Sequence, residues 1–279
     1  IFFAKAYSRY PQALDGHNRV SFLTKKHPKH NTPSQHTRLK QTIHTMTVKI
    51  HYYAGCGRAN MTRLALAAGG IPFEDVFATF PPSEESYALY KELTGGNETF
   101  VLPMMTVGED TDEPTKAYTQ SGAVVKQAGR MGGLAMKPTD ESVDAEYLTD
   151  KLLADAEDIR KESYKAWKMF GASDAASEKF AKSVLGKHIK NLEAQLVASG
   201  GDYFGGSSVL SIADVCLYDA IVFFGTKMIE GAEGIEDPCG EALKAWIERV
   251  ESNEGIKKYL ASEQFAAIGL KPTKGMIGL

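Results

Sequence analysis

Two hydrophobic periodicities divide this chain, and their order limits the folds open to it more than any other feature. From Met46 to Ala128, β-rich stretches alternate with helical spacing; after Val143 only helical spacing remains. Val48–Tyr52 reads as a strand. Arg58–Ala68 sets Met61, Leu64, Ala65 and Ala68 at helical spacing, and Gly69-Gly70 stops that helix. Phe73–Phe77 reads as a second strand, parallel to the first through the helical crossover. A helical piece around Tyr87–Leu93 stops at Gly95-Gly96. Leu102–Val107 and Lys116–Thr119 form a hairpin around the acidic turn Gly108–Glu113, and Gln120-Ser121 begins a helix through Ala128.

The order βαβ then ββα predicts a thioredoxin-like domain over residues 46–129. Residues 130–142, rich in Gly, Met and Pro, read as a linker. Residues 143–279 read as an all-helical bundle, so the fold class is α/β followed by all-α. Leu148, Leu152, Ile159, Tyr164, Trp167 and Phe170 suggest one long helix. Val184, His188, Leu192 and Leu196 line a face of another, and Ile212–Phe224 is apolar almost throughout, as a central buried helix is. Ala242–Val250 and Gly255–Tyr259 read as shorter final helices.

Charge is distributed unevenly. Residues 1–45 carry eight of the 32 Lys and Arg, one of the 35 acids and five of the seven His, leaving a body near −10. An acidic body argues against nucleic acid as a partner. The basic, acid-poor first 45 residues lack sustained apolar periodicity. They read as a disordered or non-native extension, either an organelle transit segment or sequence upstream of a start at Met46. No apolar run reaches the ~18 residues of a membrane-spanning helix. Cys56, Cys216 and Cys239 form neither a C-x-x-C pair nor a metal spacing, which suits a reducing, cytoplasmic setting without a metal centre.

Three short motifs carry the chemistry. Tyr52 ends the first strand before the turn Ala54-Gly-Cys-Gly57, with Arg58 at the start of the helix beyond. A phenol there, facing a helix N-terminus, is placed to hold an anion. Tyr53, by strand alternation, points to the opposite face. Leu102-Pro103 stands at a strand start, where a cis bond would turn the Leu102 backbone toward a ligand; spacing alone favours an ordinary trans proline. Gln120-Ser121 opens a helix directly after a strand, so Ser121 reads as its N-cap and as a donor to a carboxylate. Ser211-Ile-Ala-Asp214 has the form of a capping box, a structural role. Cys56 inside Gly55-Cys-Gly57 offers a competing thiol-redox reading, weakened by its missing C-x-x-C partner. His51 and His188 read as packing or surface residues, and Trp167 and Phe170 as core or pocket wall.

In this order and layout the motifs resemble those of the cytosolic glutathione transferases, tyrosine type, with sigma closest and pi and mu near it. The resemblance covers about residues 47–271. It implies that Tyr52 stabilises the thiolate of glutathione and that Arg58 lines the site. It implies further that Leu102, before a cis Pro103, binds the cysteinyl backbone, and that Gln120 and Ser121 hold the γ-glutamyl carboxylate. Lys91 matches a lysine directed at the glycine carboxylate, and Tyr87 stands where the family usually has Trp; the loop Glu92–Val101 looks longer than the family's. Glu157-Asp158-Ile-Arg160 resembles the segment whose aspartate reaches across a dimer, which selects Asp158, with Asp155 as the alternative register. The implied activity is conjugation of glutathione, as co-substrate and with no cofactor, to an electrophilic small molecule, a detoxification reaction, by a homodimer. Two alternatives share the motifs: an inert relative with a binding or structural role, and a glutathione-dependent isomerase resembling prostaglandin D synthase. Tyr52, Arg58, Gln120 and Ser121 together favour the enzyme.

Overall fold

The computed structural model describes residues 46–79, 83–98, 101–109, 113–227 and 239–270. The basic extension 1–45 lies outside them, as do parts of the loop Glu92–Val101 and of the hairpin turn. Strands β1 (Met46–Tyr52), β2 (Glu74–Phe77), β3 (Met104–Glu109) and β4 (Lys116–Tyr118) form one sheet in the order β2-β1-β3-β4. β1 runs parallel to β2, and both β1/β3 and β3/β4 are antiparallel. A parallel pair needs a crossover. Here it is a single 3₁₀ turn, Gly57–Ala59, and helix α1, Asn60–Ala68. Helix α2 (Glu84–Leu93) is capped by Ser83, whose side chain accepts from the Ser86 N–H, and it starts three residues before the Tyr87 that periodicity marks. Helix α3 runs Ser121–Met131, into the segment read as linker.

Alternation along β1 supplies two buried faces. Val48 and Ile50 join the core with Leu64 and Ala65 of α1 and Val124, Val125 and Ala128 of α3. His51, on the opposite face, meets Tyr90 of α2 edge-on with ring centroids 5.3 Å apart, and its Nε2 lies 3.0 Å from Thr106 Oγ1. The sheet is therefore covered on both sides, as the expected thioredoxin-like domain requires.

The second part is helical: α4 (Ala145–Tyr164), α5 (Asp174–Lys179), α6 (Gly186–Ser199), α7 (Ile212–Tyr218), α8 (Glu241–Ser252), α9 (Glu254–Leu260) and α10 (Glu263–Ile268). α7 is buried throughout and continues as a π-helical segment, Asp219–Lys227. Its start is the expected capping box: Ser211 accepts from the Asp214 N–H, and Asp214 accepts from the Ser211 N–H and from Trp246 Nε1.

Two helical expectations need correction. α4 stops at Tyr164 instead of running to Phe170, because Trp167 is extended and Lys168–Phe170 is a 3₁₀ turn. That break folds Trp167 back onto Phe224, with rings 5.4 Å apart. The buried line of the next helix is Leu185, Ile189, Leu192 and Leu196, not Val184 and His188. A period of 3.6 residues leads back from Leu196 and Leu192 to Ile189 and Leu185, whereas steps of four drift off that face to His188 and Val184. α10 went unmarked because its six residues are too few to show a period. It packs on α9, which approaches α1 so closely that a Cβ on Gly255 would stand 1.8 Å from Ala67 O.

His51 yields a stability prediction. Burial, with Lys49 nearby, lowers its pKa from 6.5 to about 4. The folded imidazole is thus neutral at pH values where the unfolded one is charged. The stability this represents is complete above the unfolded pKa and is lost as pH falls through the folded one. The loss between pH 6.5 and 4 is roughly 2–3 kcal/mol. Urea titrations of wild type and His51→Gln at several pH values are expected to show a shallower acid slope in the variant; parallel slopes would refute the assignment.

Candidate active site

β1 ends at Tyr52 because the following Gly-containing turn carries the backbone away from the sheet. Gly57 adopts φ +39°, and a Cβ there would stand 2.6 Å from Tyr52 Oη, so the phenol occupies space that only glycine leaves open. Tyr52 Oη accepts a hydrogen bond from the Arg58 backbone N–H at 3.1 Å. With that lone pair engaged, the hydroxyl proton remains available to a neighbour. Burial raises the Tyr52 pKa, while the Arg58 N–H and the Arg63 and Arg58 charges pull it down. The net rise keeps the phenol protonated at neutral pH, making it a donor and not a base.

The Arg58 guanidinium gathers the other parts of the site. It pairs with Glu157 through two bonds, Nη2–Oε1 at 2.8 Å and Nη1–Oε2 at 3.1 Å, a fork-to-fork geometry. Nη1 also donates to Ser121 Oγ at 3.4 Å, and the guanidinium lies 5.5 Å from the Tyr164 ring centroid. The starts of α1 and α3 and the middle of α4 therefore converge on one cation. Ser121 is not the N-cap that its sequence position suggested. Gln120 occupies that place at φ 70°, ψ 109°, with its carbonyl accepting from the Ala123 and Val124 N–H groups. Among the described residues it is the one non-glycine at positive φ, a strained setting that clusters at functional sites. Ser121 is then the first helical residue, with its N–H among those a helix leaves unpaired. The Leu102-Pro103 bond is cis, in line with the resemblance.

Other candidates stand elsewhere. Tyr87 and Lys91 lie on the exposed side of α2; the Tyr87 hydroxyl donates to Glu98 O at 3.2 Å, and Lys91 pairs with the Glu98 carboxylate. Asp158 is exposed and reaches Lys161 at 4.0 Å, while Asp155 pairs with Lys151 at 2.7 Å. Within one chain, Glu157 and not Asp158 joins the Tyr52 cluster. Cys56 is buried and donates to Gly269 O at 3.4 Å; burial, then Asp219, pushes its thiol up to about 12. A thiol held protonated is a poor nucleophile, which removes the redox reading. Tyr53 does not take the opposite face. The strand has ended before it, and its ring packs 5.2 Å from that of Tyr52.

Sequence reasoning passed over the buried polar residues behind the site. Asn60 Nδ2 donates to Asp219 Oδ1 at 2.6 Å, and Arg160 Nη2 donates to Asp219 Oδ2 at 2.8 Å and to Cys216 O at 2.9 Å. Arg63, fully buried, donates to Asp75 at 2.6 Å and to Gly55 O at 2.9 Å, and its guanidinium lies 5.9 Å from the Tyr52 ring centroid. One signal was present: Asp214 and Asp219 are the only charges within the apolar run 212–224, and a charge there requires a partner.

Comparison with known proteins finds similarity to glutathione S-transferases. Residues 157–263 match the family model for the glutathione S-transferase C-terminal domain. Glutathione S-transferase 1 of Ascaris suum is 26% identical over 218 residues, covering 76% of this chain and 95% of that protein. The class-mu 28 kDa glutathione S-transferase isozyme of Schistosoma japonicum is 29% identical over 178 residues, 62% of this chain and 79% of its own length. The solved glutathione S-transferase of Ascaris lumbricoides superposes with TM-score 0.55 at 25% identity, over 77% of this chain and 96% of that one. A pi-class glutathione S-transferase from Onchocerca volvulus, at 19% identity and TM-score 0.60, covers 82% and 99% and shares the fold.

Proposed function

We propose that the chain is a glutathione transferase, which binds glutathione against Tyr52, Arg58, Leu102-Pro103, Gln120 and Ser121 and conjugates it to an electrophilic small molecule. The carrying observation is the partly buried Tyr52 hydroxyl, which accepts from the Arg58 N–H at 3.1 Å and whose pKa burial raises. Its proton is free to bond the glutathione sulfur. A free thiol has pKa ~8.5, so few are ionised at neutrality. One donated hydrogen bond favours the anion, and each unit of lowering raises the thiolate fraction nearly tenfold. The thiol proton passes to solvent. The sulfur lone pair then forms the C–S bond, and the electrophile's leaving group departs with its electron pair or, in an addition, the acceptor carbon takes a proton.

The γ-glutamyl carboxylate suits the start of α3, where Ser121 offers its N–H and hydroxyl to an anion. Leu102, ahead of the cis proline, offers its backbone to the cysteinyl unit. Tyr87 and Lys91 would meet the glycine end, Lys91 exchanging Glu98 for that carboxylate. The tyrosine-type assignment rests on Tyr52. Titration calorimetry with glutathione, followed by turnover with a panel of electrophiles, tests the whole reading. Binding without turnover on any electrophile would leave an inert binding protein instead.

The same reading makes the protein a homodimer in which Asp158 meets the γ-glutamyl ammonium of the partner's glutathione. Two observations support it: Asp158 is exposed in its own chain, and its neighbour Glu157 is engaged by Arg58. A charge-assisted hydrogen bond there contributes ~1.5–3 kcal/mol, so Asp158→Ala is expected to weaken glutathione binding about tenfold or more. Subunits carrying Tyr52→Phe, mixed with Asp158→Ala subunits and allowed to exchange, are expected to regain one intact site per mixed dimer. No recovery after verified exchange would show that the site is not shared.

A further inference from the structure

The last helix among the described residues reaches back to the turn that positions Tyr52. Gln264 on α10 donates through Nε2 to Asp75 Oδ2 at 2.8 Å and to Phe73 O at 3.4 Å. The other oxygen of Asp75 accepts from Arg63 Nε at 2.6 Å. Arg63 in turn donates through Nη1 to Gly55 O at 2.9 Å and Cys56 O at 3.4 Å. A second tie runs in parallel, from the Cys56 thiol to Gly269 O at 3.4 Å. Residues 264–269 therefore hold the turn at two points just ahead of Gly57 and Arg58. α10 is itself anchored: Ile268 is buried, and Phe265 packs against Tyr259 and Phe223 with centroids 5.4 and 6.0 Å apart.

We propose that Gln264 is a positioning residue for the thiol site: through Asp75 and Arg63 it fixes the Gly55–Arg58 turn and so the Arg58 N–H that donates to Tyr52. The inference rests on the reading of Tyr52 as the thiolate-stabilising donor. A hydroxyl donates best when its own acceptor lone pair is engaged, since hydrogen bonds in a chain polarise one another. A turn free to shift would lengthen the Arg58–Tyr52 bond and weaken the donation beyond it. Asp75 is the joint of the relay, because each of its oxygens holds one side. Removing the Gln264 amide leaves one oxygen without that donor and lets the carboxylate rotate away from Arg63. The charged and titratable groups facing Tyr52 are Arg58 and Arg63 from its own turn and α1, Tyr53, Tyr164 of α4, and Asp219 at the head of the π segment. Gln264 touches none of these except Arg63, through Asp75.

The test compares Gln264→Leu with wild type, each alone and combined with Tyr52→Phe. The readouts are the pH profile of kcat/KM, glutathione affinity by calorimetry, melting temperature and hydrogen exchange at the Arg58 amide. Gln264→Leu is expected to lower kcat/KM about three- to tenfold at neutral pH, with recovery at alkaline pH as the thiol ionises unaided. Glutathione affinity is expected to stay near wild type, the melting temperature to fall by a few degrees, and the Arg58 amide to exchange faster. In the Tyr52→Phe background the same substitution is expected to change nothing further. A wild-type profile for Gln264→Leu, beside a shifted one for Tyr52→Phe, overturns this inference alone. An equal loss in both backgrounds also overturns it, since Gln264 would then act on something other than Tyr52. A wild-type profile for Tyr52→Phe overturns the reading of Tyr52 and this inference with it. Should Gln264→Leu fail to fold, Gln264→Ala carries the same comparison.

Discussion

Tyr52→Phe is expected to lower kcat/KM about 10- to 100-fold at neutral pH while leaving glutathione affinity near wild type. The substitution deletes one hydroxyl, and the ring that fills the space above Gly57 remains. A hydrogen bond to a charged group contributes ~1.5–3 kcal/mol, and each 1.36 kcal/mol is tenfold in rate. The loss falls on the anion and not on the neutral thiol, so it belongs to the ionised, reacting state. The deficit is therefore expected to shrink as pH rises, because the thiol ionises unaided near pH ~8.5. One structural side effect has to be separated: the Arg58 N–H loses its acceptor, which destabilises the fold by ~1 kcal/mol or more. Melting curves measure that effect, and the pH profile of kcat/KM measures the other. Identical pH profiles for the two proteins would remove Tyr52 from the mechanism, whatever the change in stability.

The backbone of this site was legible in the sequence; its side-chain partners were not. Strand, turn and helix at Val48–Ala68 follow from periodicity and from Gly69-Gly70, which act over a few residues. The capping box at Ser211 and Asp214 is equally local. The pairing of Arg58 with Glu157 spans 99 positions, and the meeting of Asn60 with Asp219 spans 159. No local pattern encodes such a pair. Glu157 stood inside the quoted segment Glu157-Asp158-Ile-Arg160, yet nothing in a helical run of polar residues says which carboxylate faces inward. Rotation about α4 decides it, and that rotation is set by Leu152, Ala156 and Ile159 packing into the core. The errors of one residue had other origins. A spacing of four in place of 3.6 residues carried the expected face from Ile189 to His188, and the strained Gln120 displaced the cap by one position from Ser121. The second is a departure from ideal geometry that propensity does not announce.

The largest effect on stability is expected at Asp219. Its carboxylate is fully buried and receives Arg160 Nη2 at 2.8 Å, Arg160 Nε at 3.3 Å and Asn60 Nδ2 at 2.6 Å. Arg160 is itself 2% exposed. Asp219→Ala would leave a guanidinium inside the protein without its counter-charge, a loss of roughly 3–5 kcal/mol. For a body of this size each kcal/mol lowers Tm by about 2–4 °C, so a fall on the order of 10 °C is expected in a thermal melt. Asn60→Ala, which removes one neutral donor and keeps the ion pair, is expected to cost far less, about 1–2 kcal/mol. The comparison that decides the physics is the double variant Arg160→Met/Asp219→Leu. If the stabilisation of the pair only offsets the cost of burying its charges, the double variant is expected to melt well above Asp219→Ala. The double-variant cycle would then show a large coupling energy between two residues that together add little. These three residues join α1, α4 and the π segment after α7, and Asn60 follows Arg58 by two positions. A double variant that restores Tm but not turnover would mean that the buried pair serves the geometry of the Tyr52 turn beyond its part in folding. One that restores both would make it a structural joint and nothing more.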